Sequence, residues 1–364
     1  MFVIVTRNFP PSVGGMQSLM GDLALNFSKY GPVKVFADAD EESDSFDKKQ
    51  PYSVERVGGI KLLQKYRKNN QVELVCSRHK GIRAIISDHW KSIEKISHNI
   101  CAQIPTLCLI HGKEINHTKG SLSNTRMLSS LKKATYVIAN SEFTKKLAIS
   151  KGVKADKIKV INPGIFPSKK ISKKIITKAA NIFGKSSPKL ISVTRLVKRK
   201  GLHSVILALK NLQAIYPNFL YVILGSGEQA EQLQSLTNNM GLENNILFLE
   251  KTSIELKNAL LNQSDIFLMP SIQDGASVEG FGISFLEASM FKTACIGGKI
   301  GGASDIIKHG VTGFLCDGED QADIYDALVK MMKKELYKKM GVAAQAYSKN
   351  FIWDTQIKKY LKLI

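Results

Sequence analysis

Residues 278–288 have the sequence V-E-G-F-G-I-S-F-L-E-A, in which Glu279 and Glu287 are separated by seven residues. The two glycines disfavour a helix, whereas the residues after Gly282 accept one. A helix is therefore predicted to begin near Gly282 and to leave Glu279 in the preceding turn.

This predicted helix start offers hydrogen-bond donors to a polar ligand. The N–H groups of Phe281, Gly282 and Ile283 lack partners within the helix, whose N-terminus is positive. Beside Glu279 they suit a phosphate or a hydroxyl-rich sugar, and Glu287, more than one turn further on, can hold a second part of the same ligand. The alternative is an exposed helix start with a capping acid, since glutamate is common and the spacing is loose.

The chain has 364 residues, enough for two domains that each bury a core. Its hydrophobic content of 44% is ordinary, but its net charge of +21 is not. Such an excess favours polyanions: nucleic acid, an anionic membrane surface or a phosphorylated substrate. Zinc-knuckle spacings, RNA-recognition signatures and aromatic ladders do not accompany the lysines, which argues against nucleic acid.

Cysteine usage and hydropathy bear on the compartment. The cysteines are odd in number, scattered and mostly set in apolar runs, as expected for reduced core residues of a cytosolic protein. The N-terminus lacks the pattern of a signal peptide, and no apolar run approaches the roughly 18 residues that span a bilayer. We therefore expect a cytoplasmic protein whose membrane contact, if any, is peripheral at the inner face of the cytoplasmic membrane. The cysteines are Cys76, Cys101, Cys108, Cys295 and Cys316.

Short apolar runs alternate with helical stretches twice along the chain, which predicts an α/β protein. Residues 168–189, with seven lysines and no acid, are interpreted as a linker that is partly helical at most. Two such arrays predict two Rossmann-like domains with parallel sheets facing across a cleft. The first domain is placed at 1–167 together with a C-terminal helix at 351–364, and the second at 168–350. The predicted strands are 2–6, 33–37, 82–87, 106–110, 134–139 and 158–161, then 189–194, 219–224, 246–249, 265–269 and 294–296.

Two features of the first half lie where parallel sheets bind ligands. The stretch F-P-P-S-V-G-G-M-Q follows the first strand, and Gly14 and Gly15 let the backbone approach an anion at the next helix start. A simple turn is the equal alternative. His111 follows strand 106–110 directly, at the edge where open sheets hold ligands, although a lone histidine is usually structural.

Two further stretches have competing interpretations. Asp38 and Asp40 imitate a D-x-D metal site, but the acids and serines that follow, Glu42 among them, are typical of a solvated loop. Residues 56–95 are rich in lysine and arginine, and Ile60 to Lys68 can form a cationic amphipathic helix at a lipid surface. An ordinary surface helix is equally compatible.

Basic residues also follow the first strand of the second half. Arg195, Lys198, Arg199 and Lys200 precede Gly201, and such a group can neutralise a diphosphate by forked hydrogen bonds and point charges. A solvated basic turn is the alternative.

Residues 224–230, L-G-S-G-E-Q-A, follow a strand, and Glu250 lies about 20 residues on, as in a dinucleotide-binding fingerprint. An NAD-dependent oxidoreductase with its fingerprint at Gly225 to Ala230 is therefore the alternative function. Against it, the motif belongs to the second strand after the linker. It also leaves the basic group and the paired glutamates without a role.

Taken together, the ordered motifs resemble those of the retaining glycosyltransferases of GT-B fold, family four, and most of all the phosphatidylinositol mannoside mannosyltransferases. The motifs that carry the resemblance are F-P-P-S-V-G-G-M-Q, H-G-K-E, T-R-L-V-K-R-K-G, L-G-S-G, V-E-G-F-G-I-S-F-L-E-A and I-G-G-A-S-D. The resemblance implies transfer of a hexose of mannose or glucose type, with retention, from GDP-mannose or a UDP-hexose to a lipid-linked or cell-envelope polysaccharide acceptor. It implies no metal cofactor, no enzymic nucleophile, and a C-terminal helix that crosses back to the first domain.

The resemblance also implies roles for individual residues. His111, Glu279, Arg195 and Lys200 are the implied catalytic residues, with His111 near the reacting face of the sugar. The implied donor-binding residues form a larger set that contacts the diphosphate, the ribose, the base or the transferred sugar. They are Gly15, Arg195 and Lys200 for the diphosphate, Glu287 for the ribose, Lys251 and Ile254 for the base, and Glu279, Phe281, Gly282 and Ile283 for the sugar.

Two departures from the family pattern lie near these residues. Residues 290–293, M-F-K-T, replace a Gly-x-Pro turn, and the loop 271–277 is short. Both leave the identity of the donor open.

Overall fold

A computed structural model describes residues 1–41, 43–168 and 170–364. The chain forms two compact units: residues 1–164 with 353–364, and residues 165–352. We refer to them as the first and second units and describe each by itself.

The first unit contains a seven-stranded sheet in which every pair of neighbours is parallel, in the order β3-β2-β1-β4-β5-β6-β7. Its strands are β1 (Phe2–Val5), β2 (Val33–Asp38), β3 (Ser53–Val57), β4 (Ala84–Ser87), β5 (Thr106–Ile110), β6 (Tyr136–Ala139) and β7 (Ile158–Val160).

The second unit contains a six-stranded parallel sheet in the order β10-β9-β8-β11-β12-β13. Its strands are β8 (Lys189–Val193), β9 (Leu220–Leu224), β10 (Ile246–Leu249), β11 (Ile266–Met269), β12 (Ala294–Gly298) and β13 (Gly313–Cys316).

Helices connect the strands of both sheets. The first unit has α1 (Gly15–Ser28), α2 (Ser43–Asp47), α3 (Lys61–Arg78), α4 (Trp90–Ile93), α5 (His98–Gln103), α6 (Leu122–Lys133) and α7 (Glu142–Ser150). The second has α8 (Lys173–Phe183), α9 (Leu202–Gln213), α10 (Ala230–Asn239), α11 (Ile254–Gln263), α12 (Ile283–Met290), α13 (Gln321–Met332) and α14 (Leu336–Ser348). The chain ends in α15 (Trp353–Leu361), which belongs to the first unit.

Each sheet is buried on both faces, which explains why its central strands are continuous apolar runs. In β1, Phe2 and Ile4 pack into one core cluster and Val3 and Val5 into another. The prediction of an α/β protein with two Rossmann-like parallel sheets is therefore confirmed.

Two strands were absent from the sequence prediction, β3 and β13. Each is an edge strand of its sheet. The residues of β3, S-V-E-R-V, are mostly half-buried or exposed, and β13 begins with a glycine. An edge strand needs less apolar sequence, so the periodicity that revealed the central strands is missing here.

The predicted linker at 168–189 is wrong in one respect, because it contains a full helix of the second unit. Ala179 and Phe183 of α8 are buried in the core beside residues of α11. The lysines are compatible with this helix because its buried stripe is narrow. The first unit ends at Gly164 instead of residue 167, since the backbone N–H of Ile165 bonds to Phe351 of the second unit.

The C-terminal helix returns to the first unit, as predicted. Trp353 donates from Nε1 to the Asp22 carboxylate on α1 at 3.2 Å. Tyr360 packs edge-on against Phe27 of the same helix, with ring centroids 6.0 Å apart. Both aromatic side chains of α15 are 1% exposed, so α15 is part of the first core.

Candidate functional site

The strand order of the second sheet reverses direction between β8 and β11. At such a switch point the connections leave towards opposite faces, and ligands bind at the carboxyl ends of the strands. The basic segment T-R-L-V-K-R-K-G follows β8 at this position. Its Gly201 has a φ of 71° and lies so close to Pro270 after β11 that a Cβ would collide with the Pro270 carbonyl oxygen.

Glu279 lies in this region, buried against two cations. One carboxylate oxygen accepts from Arg199 Nη1 at 2.7 Å and from the Lys200 ammonium. Glu279 is 8% exposed and Lys200 6%. Burial by itself would raise the pKa of Glu279, but Lys200 and Arg199 outweigh it and hold that pKa at about 2.

Lys200 experiences the opposite balance. Burial lowers the pKa of its ammonium, Glu279 opposes that change, and the nearby Arg199 and Arg195 add to it. Two cations therefore contact one carboxylate, and a third, Arg195, is near enough to act on Lys200. This leaves an excess of positive charge where an anionic ligand can be held.

Arg195 and Arg199 differ in a way that the sequence did not indicate. Arg199 is the ion-pair partner of Glu279, whereas the exposed Arg195 pairs with no acid in the described part of the chain. Arg195 is thus free to meet a ligand.

The predicted helix start is confirmed: Gly282, with a φ of 89°, precedes α12. Among the described residues, none accepts a hydrogen bond from the backbone N–H of Phe281, Gly282 or Ile283. A backbone hydrogen bond fixes the turn before α12, because the Gly302 N–H donates to the Glu279 carbonyl at 2.8 Å. A Cβ on Gly302 would collide with the Gly280 carbonyl oxygen, which accounts for the glycines of I-G-G-A-S-D.

Glu287 is half-buried on α12 and pairs with Lys257 of α11, a partner that sequence reasoning missed. Ile254 is the first residue of α11 and Lys251 lies three residues before it; both are exposed, Ile254 to 75%. Glu287 and the start of α11 are thus linked through Lys257.

The glycines of L-G-S-G have a packing role that removes the main support for the oxidoreductase alternative. A Cβ on Gly225 would lie 1.8 Å from the Thr194 carbonyl oxygen, and one on Gly227 2.4 Å from that of Leu196. The Leu196 N–H also donates to the Ser226 carbonyl at 2.9 Å. These glycines let their loop pack closely against the basic segment after β8. The loop itself follows β9, one strand away from the switch point.

In the first unit the strand order reverses between β1 and β4. Gly15 is the first residue of α1, and nothing lies within 4 Å of where its Cβ would be, so a ligand can approach its backbone. His111 follows β5, as predicted, and its Nε2 donates to the Asp88 carbonyl at 3.1 Å. This bond places a proton on Nε2, so that Nδ1 is the acceptor in the neutral ring.

Asp88 is a site residue that the sequence analysis did not identify. It is fully buried after β4. Its carboxylate accepts from the Arg7 N–H at 2.9 Å, the Thr6 hydroxyl at 3.0 Å and the Ser92 hydroxyl at 2.6 Å. Asp88 therefore joins the loops after β1, β4 and β5.

The D-x-D alternative finds no support in the geometry. Asp38 pairs with the buried Lys68, and Asp40 accepts a hydrogen bond from Ser12. The described residues contain no group of three or more potential metal ligands. Glu42, part of the same acidic run, lies outside the described residues.

Lys68 also corrects the surface-helix hypothesis. It lies on α3 but is 1% exposed and donates to the Thr6 carbonyl at 2.7 Å, so it is not a surface lysine. Ile60, Leu63 and Tyr66 are exposed to 66%, 51% and 43%. The side chains of Lys61 and Leu62 lie outside the described part of the structure, and none of the described helices has the length and apolar character of a membrane span.

Comparison with known proteins agrees with this geometry. Residues 13–169 match the model of Glycosyltransferase Family 4, and residues 173–347 match that of Glycosyl transferases group 1. The chain is 25% identical to a GDP-mannose-dependent alpha-(1-6)-phosphatidylinositol monomannoside mannosyltransferase of Mycobacterium tuberculosis, over 97% of this chain and 95% of that protein. A related mannosyltransferase of Corynebacterium glutamicum, named for a monoacylated acceptor, is also 25% identical, over 95% and 92%.

Solved structures resemble the whole chain. The Anabaena protein HepE in complex with UDP has a TM-score of 0.82 at 21% identity, covering 99% of this chain and 98% of that one. Sucrose-phosphate synthase from Thermosynechococcus elongatus has a TM-score of 0.80 at 17% identity, covering 100% and 97%. Together with the two family models, these similarities show that the chain belongs to the family four glycosyltransferases of GT-B fold and is a nucleotide-sugar-dependent glycosyltransferase.

Proposed function

We propose that the enzyme transfers a hexose of mannose or glucose type, with retention of configuration, to a lipid-linked or cell-envelope polysaccharide acceptor. The observation that carries this proposal is the cluster of Glu279, Lys200 and Arg199 beside the free N–H groups at the start of α12. It combines an excess of cations for a diphosphate with an ionised carboxylate and backbone donors for sugar hydroxyls.

The state of Glu279 restricts the chemistry. A carboxylate with a pKa near 2 is a poor base at neutral pH, and two cations already share one of its oxygens. We therefore assign Glu279 to holding the transferred sugar instead of attacking it. In this proposal the acceptor attacks on the face from which the diphosphate departs, and the leaving phosphate helps to remove the acceptor proton.

Arg195 and Lys200 stabilise the charge that grows on the leaving diphosphate. Because the cations lie where a metal would otherwise act, we propose that no metal is required. His111 presents Nδ1 as a hydrogen-bond acceptor for a sugar hydroxyl, with its ring fixed by Asp88. Gly15 borders the diphosphate, Glu287 holds the ribose, and Lys251 and Ile254 lie beside the base.

The donor is proposed as GDP-mannose or a UDP-hexose. The mannosyltransferase relatives are named for GDP-mannose, and the structure of HepE holds UDP. The lipid-linked acceptor is supported by the same relatives and by the exposed apolar side chains of α3. The ammonium groups of Lys65 and Lys95 lie 5.3 and 4.9 Å from the centroid of the Tyr66 ring, in a mixed basic and apolar surface suited to an anionic leaflet.

The proposal is tested by thermal shift with GDP-mannose, UDP-glucose and NAD. A ligand that binds only the folded state raises the melting temperature, so one nucleotide sugar should do so and NAD should not. Lys200→Met should abolish the shift, whereas Lys330→Met, an exposed lysine of α13, should leave it unchanged. With the donor identified, NMR of the transferred sugar on a supplied glycolipid acceptor gives the anomeric configuration. An inverted product, or a shift with NAD alone, would contradict the proposal.

A further inference from the structure

Residues 6–14 join β1 to α1 and lead the chain to Gly15; we refer to them as the β1–α1 loop. The side chain of Arg56 on β3 reaches this loop, because its Nη2 donates to the Pro10 carbonyl. We propose that Arg56 is a positioning residue, which fixes the β1–α1 loop so that the backbone of Gly15 can meet the donor diphosphate. This inference rests on the proposed function.

The guanidinium of Arg56 joins three separate segments of the first unit. Its Nη1 donates to the Asp38 carbonyl at the end of β2, at 3.3 Å, and its Nη2 donates to the Pro10 carbonyl. Its Nε and Nη2 also donate to the Asp47 carboxylate of α2, at 2.9 and 2.8 Å. A forked pair of this kind fixes the plane of the guanidinium as well as its position. The direction of the hydrogen bond to Pro10 is therefore determined by Asp47.

The contact with the loop lies in a place that contains little water. The Arg56 side chain is 13% exposed, and its Cζ lies 5.4 Å from the centroid of the Phe9 ring. Phe9 is 3% exposed and packs edge-on against Phe46 and Tyr52, with ring centroids 6.3 Å apart in both pairs. Since hydrogen bonds are electrostatically stronger away from water, the guanidinium holds the loop firmly.

Pro10 and Ser12 connect this anchor to the helix that carries Gly15. A Cβ on Gly21 of α1 would lie 2.8 Å from Pro10 Cγ, so the proline ring lies directly against that helix. Ser12 donates to the Asp40 carboxylate, which gives the loop a second anchor. Two residues separate Ser12 from Gly15, so a displacement of either anchor moves the backbone that is proposed to border the diphosphate.

The variant Arg56→Lys separates the position of the loop from the stability of the fold. A lysine ammonium keeps the charge and can still pair with Asp47. It lacks the planar fork that reaches the Asp38 and Pro10 carbonyls at the same time. The variant thus keeps a cation beside the buried acid but loses the contact that positions the loop.

Initial rates with the donor identified by thermal shift measure the consequence. Arg56→Lys should lower kcat/KM for the donor by about 10- to 100-fold, because small misplacements near the reacting atoms have effects of this size. The KM for the acceptor should not change. The control is Val153→Ala, at a buried site before β7 on the opposite edge of the sheet. It destabilises the same unit without touching the loop, and should keep the wild-type kcat/KM.

A nitroxide spin label reports the loop independently of activity. Val13 is 98% exposed and the five native cysteines are buried, so Val13→Cys provides the thiol that a label reaches. Adding Arg56→Lys should make the label more mobile, whereas adding Val153→Ala should not. Ser12→Ala, at an exposed site, removes the other anchor and should change the mobility and the kcat/KM in the same direction. It serves as the test if Arg56→Lys is not folded by circular dichroism.

The outcomes separate this inference from the proposed function. A folded Arg56→Lys protein with wild-type kcat/KM and wild-type label mobility would overturn the inference and leave the proposed function intact. A raised KM for the acceptor with no effect on the donor would also overturn it. Failure of the wild type to bind any nucleotide sugar would instead count against the proposed function, and the label would still show whether Arg56 holds the loop.

Discussion

Glu279→Gln is expected to destabilise the second unit by removing the only carboxylate of a buried cluster. The variant keeps the shape of the side chain but leaves Lys200 and Arg199 without their acidic partner. Removing one member of a buried ion pair is costly because the remaining charge stays out of water.

The size of the effect follows from the pKa of Glu279. Folding lowers that pKa from 4.5 to about 2. At about 1.4 kcal/mol for each pKa unit, the ionised side chain contributes about 3 kcal/mol to the unfolding free energy at pH 7. The side chain is 11% exposed, so solvent screening reduces this figure little.

The pH dependence has a definite sign. A lowered folded-state pKa means that the contribution is fully present above pH 4.5 and is lost as the pH falls towards 2. The difference between wild type and Glu279→Gln should therefore be about 3 kcal/mol at pH 7 and only about 1 kcal/mol at pH 3.

Urea unfolding measures this difference. Both tryptophans lie in the first unit, so fluorescence follows that unit while circular dichroism follows both. Glu287→Gln is the matched control, because its half-exposed pair with Lys257 should contribute less than about 1 kcal/mol. A Glu279→Gln protein as stable as the control at pH 7, or a difference that does not shrink by pH 3, would refute the reasoning.

Four further outcomes are expected. Arg195→Ala should lower kcat by about 100- to 1000-fold with the donor KM little changed, as measured by initial rates, and a loss below threefold would remove it from the mechanism. Glu287→Ala should raise the donor KM with kcat nearly unchanged, so a purely kcat effect would contradict the ribose assignment. Activity should persist in excess chelator, and recovery of a lost activity by manganese would show a metal requirement. Replacing Ile60 and Leu63 by serine should weaken co-sedimentation with anionic vesicles, whereas Leu122→Ser, at the even more exposed start of α6, should not.

The sequence predicts those parts of the fold that are determined by the residues of the element itself. The central strands are apolar because both faces are buried, so each was located from its own residues. The start of α12 was located from Gly282, whose φ of 89° few other residues adopt. The edge strand β3 and the helix α8 were missed because half-exposed elements tolerate polar residues, and the local pattern weakens.

The ion pairs that the sequence analysis missed join residues that are far apart in the sequence. Arg199 and Glu279 are 80 residues apart, and Lys257 and Glu287 are 30 apart. A basic segment has several equivalent cations, and only the folded backbone decides which of them meets the carboxylate. The sequence therefore predicts the composition of the charge cluster but not its pairing.

Pairing matters for function because it separates cations that are already used from those still available to a ligand. In the second unit Arg199 and Lys200 are held by Glu279, and Arg195 is not. In the first unit Lys65 and Arg126 are likewise held by one acid, Glu94. The second sheet thus keeps the unpaired charge of Arg195 near its switch point, and an anionic group of the donor is the ligand that this charge favours.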